Sequence, residues 1–263
     1  MAKIHLDKYY TDVNLARYCI EKTKEIIGED NITEYLEPSA GNGSFSLQIN
    51  NCVAYDLEPE HESIIKQNFL GLDLPYKKGR AVIGNPPFGD RMKLAKDFFK
   101  KSTSLSDYIC FILPISQLNN SQSLFEFDLI YSEDLGTKIY SNVNLHCCFN
   151  IYKRPTDGLN KRKNLKLKDV EIVRQDSKRY NSIVEDVRMC YWGNGSAGKI
   201  LTNVEDRYAG EYKIIIHNKE HFDEIKSFIL NYDWVNETQN IAMKRIKQYH
   251  IVEVLKNNLT FLK

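Results

Sequence analysis

Residues Ala81–Asp90 read AVIGNPPFGD. Ala81-Val82-Ile83 is an apolar run of the kind a buried strand carries. Pro86 and Pro87 cannot continue it, because proline has no N–H to give a ladder. The chain therefore leaves the sheet at Asn85. The turn holds an amide, a backbone carbonyl and an aromatic ring at the carboxyl end of a strand, which is where open α/β sheets bind ligands.

Outward from this stretch the chain alternates between two periodicities. Apolar strands are expected at Glu34–Glu37, Cys52–Leu57, Ala81–Gly84, Tyr108–Leu113 and Leu145–Tyr152. Between them lie helical patterns. Residues 12–27 place Val13, Ala16, Ile20 and Ile27 on one face, with Thr11 or Asp12 as cap. A brief helix is expected near Ser44, another from Pro59 to about Gln67, one carrying Leu94, Phe98 and Phe99, and one over Ser116–Phe125. Strands alternating with helices mean βαβ units and a mostly parallel sheet. The character changes after Tyr152. Residues 153–179 carry ten Lys and Arg against four acids, a net of +6. Beyond them come a strand at Tyr212–His217 and helices near 219–231 and 239–257. We divide the chain into domains 1–155 and 156–263.

The 263 residues carry a net charge of +1, so global charge names no partner. No apolar stretch approaches the ~20 residues that span a bilayer. The start, MAKIHLDKYY, has no apolar signal core, and the six cysteines form no C-x-x-C pair. Reduced cysteines in a cytoplasmic protein with no membrane partner and no metal are the expectation.

Four features carry chemistry. In Glu37–Phe45, EPSAGNGSF, a strand runs into a turn where Gly41 and Gly43 let backbone approach a ligand. The loop lacks the lysine-bearing spacing of a phosphate cradle, and an ordinary βα turn also uses such glycines. Asp56 ends the next strand 13 residues after Gly43, where an acid can hold both hydroxyls of a ribose. A solvated acid at a strand end is the plainer alternative. Asn68-Phe69 offers an amide and a ring for an adenine, or simply anchors a loop. The Asn85 amide oxygen and the Pro86 carbonyl, fixed by Pro87, are two acceptors beside the flat face of Phe88. Together they suit a planar ring bearing an exocyclic NH2.

Glu37–Phe45, Asp56, Asn68-Phe69-Leu70 and Asn85-Pro86-Pro87-Phe88 resemble, in order, the motifs of S-adenosylmethionine-dependent adenine-N6 DNA methyltransferases, with N-P-P-F the most specific. Tyr9-Tyr10-Thr11 is similar to that family's F/Y-T-P element. The likeness covers about 5–152 and is faint beyond. It implies a Rossmann-like α/β fold with a mostly parallel seven-stranded sheet and a smaller α+β target-recognition region. It implies S-adenosyl-L-methionine as cofactor, held by Tyr10, Thr11, Glu37, Pro38, Ser39, Gly41, Gly43, Asp56, Leu57, Asn68, Phe69 and Asn85. Asn85, Pro86, Pro87 and Phe88 would be catalytic. Double-stranded DNA is the implied partner, bound in part by Lys161, Arg162, Lys163 and Lys199, with Arg207, Lys244, Arg245 and Lys247 as further candidates. Tyr191 and Trp192 are read as core residues in preference to base platforms. A cognate restriction endonuclease is the second partner implied. Two departures stand out: Asp12 replaces a proline, and Asn68 replaces an aspartate. The same pocket would serve an RNA adenine-N6 methyltransferase, and a silent nucleic-acid-binding module on this fold is the reading from another class. A protein-glutamine methyltransferase fits less well, having N-P-P-Y where this chain has N-P-P-F.

Overall fold

The computed structural model describes residues 10–140, 143–162, 166–193, 196–203, 208, 210–238 and 245–262. The chain divides into two compact units, 1–162 and 163–263.

In the first unit, helix α1 (Val13–Ile27) opens on Asp12, whose carboxylate accepts from the N–H groups of Asn14 and Leu15. Seven strands follow: β1 (Glu34–Glu37), β2 (Cys52–Asp56), β3 (Ile65–Lys66), β4 (Arg80–Gly84), β5 (Tyr108–Pro114), β6 (Asp128–Tyr140) and β7 (Val143–Lys153). Helix α2 (Lys93–Thr103) lies between β4 and β5. The sheet order is β3-β2-β1-β4-β5-β7-β6, with β7 antiparallel to both its neighbours and the rest mutually parallel. This is a Rossmann-like, doubly wound α/β arrangement.

Side-chain alternation divides the core into two layers. Ala81, Ile83, Cys110 and Ile112 pack with Ala16 and Ile20 of α1. Val82, Ile109, Phe111 and Leu113 pack with Phe98 and Phe99 of α2. Strands buried on both faces explain why β4 and β5 read as unbroken apolar runs. At the amino end of β4, buried Arg80 donates to Glu34 at 2.6 Å and to the carbonyls of Pro75 and Leu105.

Several expected elements differ. Val13 is 48% exposed, off the buried face of α1. The stretch from Pro59 to Gln67 forms turns and the two-residue β3 instead of a helix. Only Ile64 in it is buried apolar surface, too little for a helical stripe. Amides in and just before it are taken locally: Asp56 accepts from Glu58 N, and His61 Nδ1 from Ser63 N. The expected helix over Ser116–Phe125 is a single 3-10 turn, Ile115–Gln117, ended by Asn119 at φ +49 and by Asn120, which accepts from Gln122 N. The element near Ser44 is likewise a 3-10 turn, Ser46–Gln48. Strand β6 was not expected, since it is a mostly polar edge strand with a register shift at Asp134/Gly136.

The second unit is α+β. Strands β8 (Val170–Arg174), β9 (Val187–Cys190) and β10 (Glu211–Ile216) form an antiparallel sheet in the order β8-β10-β9. Helices α3 (Phe222–Asn231) and α4 (Gln248–Asn258) cover it through Ile225, Ile229, Ile251 and Leu255, with Trp234 in the same core. The helix expected over 239–257 thus begins at Gln248, and its first six residues lie outside the described ones. Among the described residues, no helix is long and apolar enough to cross a membrane.

Candidate active site

The strand order reverses direction around β1 and β4, and a crevice opens at the carboxyl ends of strands on either side of such a point. A cavity of about 380 Å³ occupies that crevice. Three strand ends feed it: Glu37 from β1, Asp56 from β2, and the turn Asn85-Pro86-Pro87 after β4.

The loop after β1 is shaped by its backbone. Gly41 has φ +53 and Gly43 φ +83, both in the left-handed region that favours glycine. Gly41 N donates to Asp56 Oδ2 at 2.8 Å, and Ala40 N to the Tyr55 carbonyl at 3.0 Å, so β2 holds the loop in place. A Cβ on Gly41 would stand 3.5 Å from the Tyr10 ring, so that ring lies against the loop. The Tyr10 hydroxyl donates to Glu60, whose own N–H donates to the Gly41 carbonyl at 3.0 Å.

The N-terminal strap also reaches the β4 turn. Ser44 Oγ donates to the Thr11 carbonyl at 2.7 Å, and Asn85 Nδ2 donates to Thr11 Oγ1 at 3.3 Å. With its nitrogen turned to Thr11, the planar Asn85 amide has its oxygen turned away from it. Ser39 Oγ donates to the Asn85 carbonyl at 3.3 Å, joining the β1 and β4 loops.

Glu37 is buried, and one carboxylate oxygen accepts from Ser46 N at 2.8 Å. Burial pushes its carboxyl up to about 7, against the pull of the hydrogen bonds from Ser46 and Phe45. Asn68 Oδ1 accepts from Leu70 N at 3.1 Å, capping a 3-10 turn that presents Phe69. Phe69 packs at 5.3 Å on Phe98 of α2, and with Leu70 and Leu94 they form an apolar wall.

Of the residues singled out in the sequence, Tyr10, Thr11, Glu37, Pro38, Ser39, Gly41, Asp56, Leu57, Asn68, Phe69, Asn85, Pro86 and Pro87 line this one cavity. Gly43 does not; it turns the loop from outside. Nor does Phe88, which is half-buried and packed against both core layers. Leu94 and Phe98, which the sequence presents only as a core face, also wall the cavity, and the Thr11–Asn85 hydrogen bond was not expected. Position i, i+4 on the helix directly after the β4 turn was the available signal for the first; a contact 74 residues apart left none for the second.

The basic candidates are spread. Lys161 and Arg162 are exposed at the end of the first unit, Lys199 is exposed in the second, and Lys163 lies outside the described residues. Lys199 Nζ donates to the Tyr208 hydroxyl at 3.1 Å. Several other cations of the basic segment serve the fold: Arg154 pairs with Asp107 at 3.3 Å and Arg179 with Glu171 at 3.1 Å. Arg207 and Lys244 also lie outside the described residues.

The cavity's donor set fits S-adenosylmethionine. It joins a carboxylate at the β2 end, a buried acid, an amide beside an aromatic wall and a glycine turn, with no lysine-bearing phosphate loop.

No protein-family model matches the sequence, and no curated protein matches it. Similar solved structures include a candidate RNA methyltransferase from Pyrococcus horikoshii, 14% identical, with a TM-score of 0.45 over 59% of this chain and 90% of that one. A Thermoplasma acidophilum protein is 19% identical, with a TM-score of 0.41 over 58% and 93%. A candidate class I S-adenosylmethionine-dependent methyltransferase from Listeria monocytogenes is 12% identical, with a TM-score of 0.45 over 61% and 65%.

Proposed function

We propose that this chain is an S-adenosylmethionine-dependent methyltransferase acting on the N6 amino group of adenine in DNA. One observation carries the reading: the Asn85-Pro86-Pro87 turn opens on the same cavity as Gly41 and Asp56. A device for holding an amino group thus shares a cavity with a nucleoside-binding loop.

Bound S-adenosylmethionine supplies a methyl group already activated on a positively charged sulfur. The remaining work falls to the protein. The adenine amino nitrogen is a poor nucleophile because its lone pair is delocalised into the ring. Asn85 Oδ1 and the Pro86 carbonyl accept its two N–H bonds and draw them out of the ring plane, localising the lone pair toward the incoming methyl. Thr11 sets the direction of the Asn85 oxygen. Transfer would then be direct: the nitrogen–carbon bond forms as the carbon–sulfur bond breaks, a neutral thioether leaves, and the surplus N6 proton passes to solvent. Holding both partners in line in a water-poor pocket supplies much of the rate.

On the cofactor side, Asp56 accepts from the ribose hydroxyls. Its oxygens already hold Gly41 N and Glu58 N, which fixes the carboxylate, and each retains a further lone pair. Asn68 accepts from the cofactor's adenine through an oxygen without charge assistance, and Phe69 packs near the ring. Tyr10 and Thr11 form the strap, while Pro38, Ser39 and Leu57 wall the site.

A base inside a duplex cannot reach this turn, so the target is flipped out. Phe88 stacks on it only by leaving its present packing. The segment just after it carries positive φ at Gly89, Arg91 and Met92, a strained stretch suited to such a movement. The first 155 residues then bind cofactor and catalyse. Residues 156–263 recognise the target, with Lys161, Arg162, Lys163 and Lys199 among the phosphate contacts. A cognate restriction endonuclease would make the chain one half of a protective pair.

Purified Asn85→Ala tests the central role. It is expected to retain S-adenosylmethionine binding by calorimetry, weakened by no more than about tenfold, and to lose methyl transfer by at least about a hundredfold, the scale of a lost oxyanion-hole donor. Near-normal transfer would remove Asn85 from the mechanism.

A further inference from the structure

In the second unit, one patch combines exposed aromatic surface with positive charge at Arg245 and Lys247 that no acid among the described residues pairs. The chain has two tryptophans. Trp234 is 1% exposed in the core, whereas Trp192 is 52% exposed. Trp192 pairs with Arg245 across an isolated antiparallel bridge, and Ile246 N donates to the Tyr191 carbonyl at 2.9 Å. Cross-strand partners have Cβ atoms about 5 Å apart, so indole and guanidinium leave the backbone as neighbours.

Among the described residues, Arg245 and Lys247 are held without a paired acid. Arg245 lies 5.3 Å from the centroid of the Tyr191 ring and Arg174 5.5 Å from it, both within cation–π range. Arg174 has Asp176 at 2.5 Å. Among the described residues no carboxylate pairs with Arg245, and its Nε is buried with no hydrogen-bond partner. Lys247 caps the amino end of α4, where the helix dipole adds further positive potential. Burial and the nearby Arg245 together hold its ammonium below the usual lysine range. Two cations that raise each other's electrostatic cost, with no acid between them among the described residues, are stabilised by an external anion.

We propose that this patch holds a nucleic-acid strand, with Trp192 against the face of a nucleobase and Arg245 and Lys247 on an adjacent phosphate. An exposed indole alone would suit a protein partner equally. The charge beside it, without a paired acid among the described residues, favours a polyanion, and aromatic platforms flanked by cations are how single strands are gripped. The inference rests on the nucleic-acid substrate named under the proposed function.

The test uses the full chain and fluorescein-labelled oligonucleotides, single-stranded and duplex, titrated by anisotropy at several salt concentrations. Trp192→Ala is expected to weaken binding about tenfold, the cost of one lost base stack, and Trp192→Phe to restore most of it. Arg245→Gln is expected to lower the slope of log K against log salt by about one. Trp192 is exposed, so its variants should melt like the wild type even where Arg245→Gln does not fold. Oligonucleotide should also quench a tryptophan emission that Trp192→Phe removes. If Trp192→Ala binds as tightly as wild type with the same salt slope, the patch is not the contact. That result leaves the catalytic reading intact, because Asn85→Ala tests it separately through transfer with binding retained. A wild type that binds no oligonucleotide overturns both.

Discussion

Glu37 is a carboxylic acid buried at a strand end that faces a cavity, and its proton is held to about pH 7 because burial disfavours the charge. The sign of its contribution to stability follows. The unfolded chain releases this proton near 4.5 and the folded chain only near 7. Stability attributable to Glu37 is therefore fully present below about 4.5 and falls as pH rises to 7, by on the order of 2–3 kcal/mol. Urea unfolding of wild type and Glu37→Gln across this window should show the decline flattened in the variant; parallel curves would place the titration elsewhere. A cationic ligand in the cavity favours the ionised acid, so S-adenosylmethionine should bind more tightly as pH rises through 7 in the wild type. In Glu37→Gln that dependence should be absent. Glu37 was legible in the sequence as a position but not as a buried acid, because burial depends on Phe45 and on the strands beside it.

At the scale of elements, the loop after β1 is the part whose geometry decides the site. A Cβ on Gly43 would lie 2.7 Å from Leu47 Cγ, on a residue at φ +83. Gly43→Ala should cost about 1–2 kcal/mol of stability by thermal or chemical unfolding, and it should weaken cofactor binding although Gly43 does not touch the cavity. Wild-type stability in that variant would mean the loop adopts another turn. Elements whose apolar residues follow one period were readable: α1, β4 and β5 fall where their patterns put them. The failures share a cause. Around Pro59–Gln67 and Ser116–Phe125 the backbone is tied by Asp, His and Asn side chains, whose local bonds leave no periodic trace. Strand β6 escaped notice because an edge strand with a bulge needs no apolar face of its own.

For the whole molecule, a net charge of +1 conceals an uneven distribution. The basic run after Tyr152 reads as a phosphate stripe in sequence, yet Arg154 and Arg179 are consumed in ion pairs of the fold. Among the described residues Arg245 has no carboxylate partner, and it lies beside an indole more than fifty residues away in the chain. Site residues close to strand ends were legible because the strand fixes where they go. In the second unit Arg245 and Lys247 were legible as basic candidates, but their juxtaposition with an exposed Trp192 was not, because that patch is assembled from β8, the segment after β9 and the start of α4. The central claim concerns which atom receives the methyl group. The most direct measurement is incubation of the wild-type chain with methyl-labelled S-adenosylmethionine and unmodified duplex DNA, with RNA in parallel, followed by digestion and identification of the labelled nucleoside. The account predicts label in N6-methyldeoxyadenosine at a defined sequence, abolished by Asn85→Ala. Label confined to RNA or to another atom, or no transfer from a protein that binds S-adenosylmethionine, would contradict it.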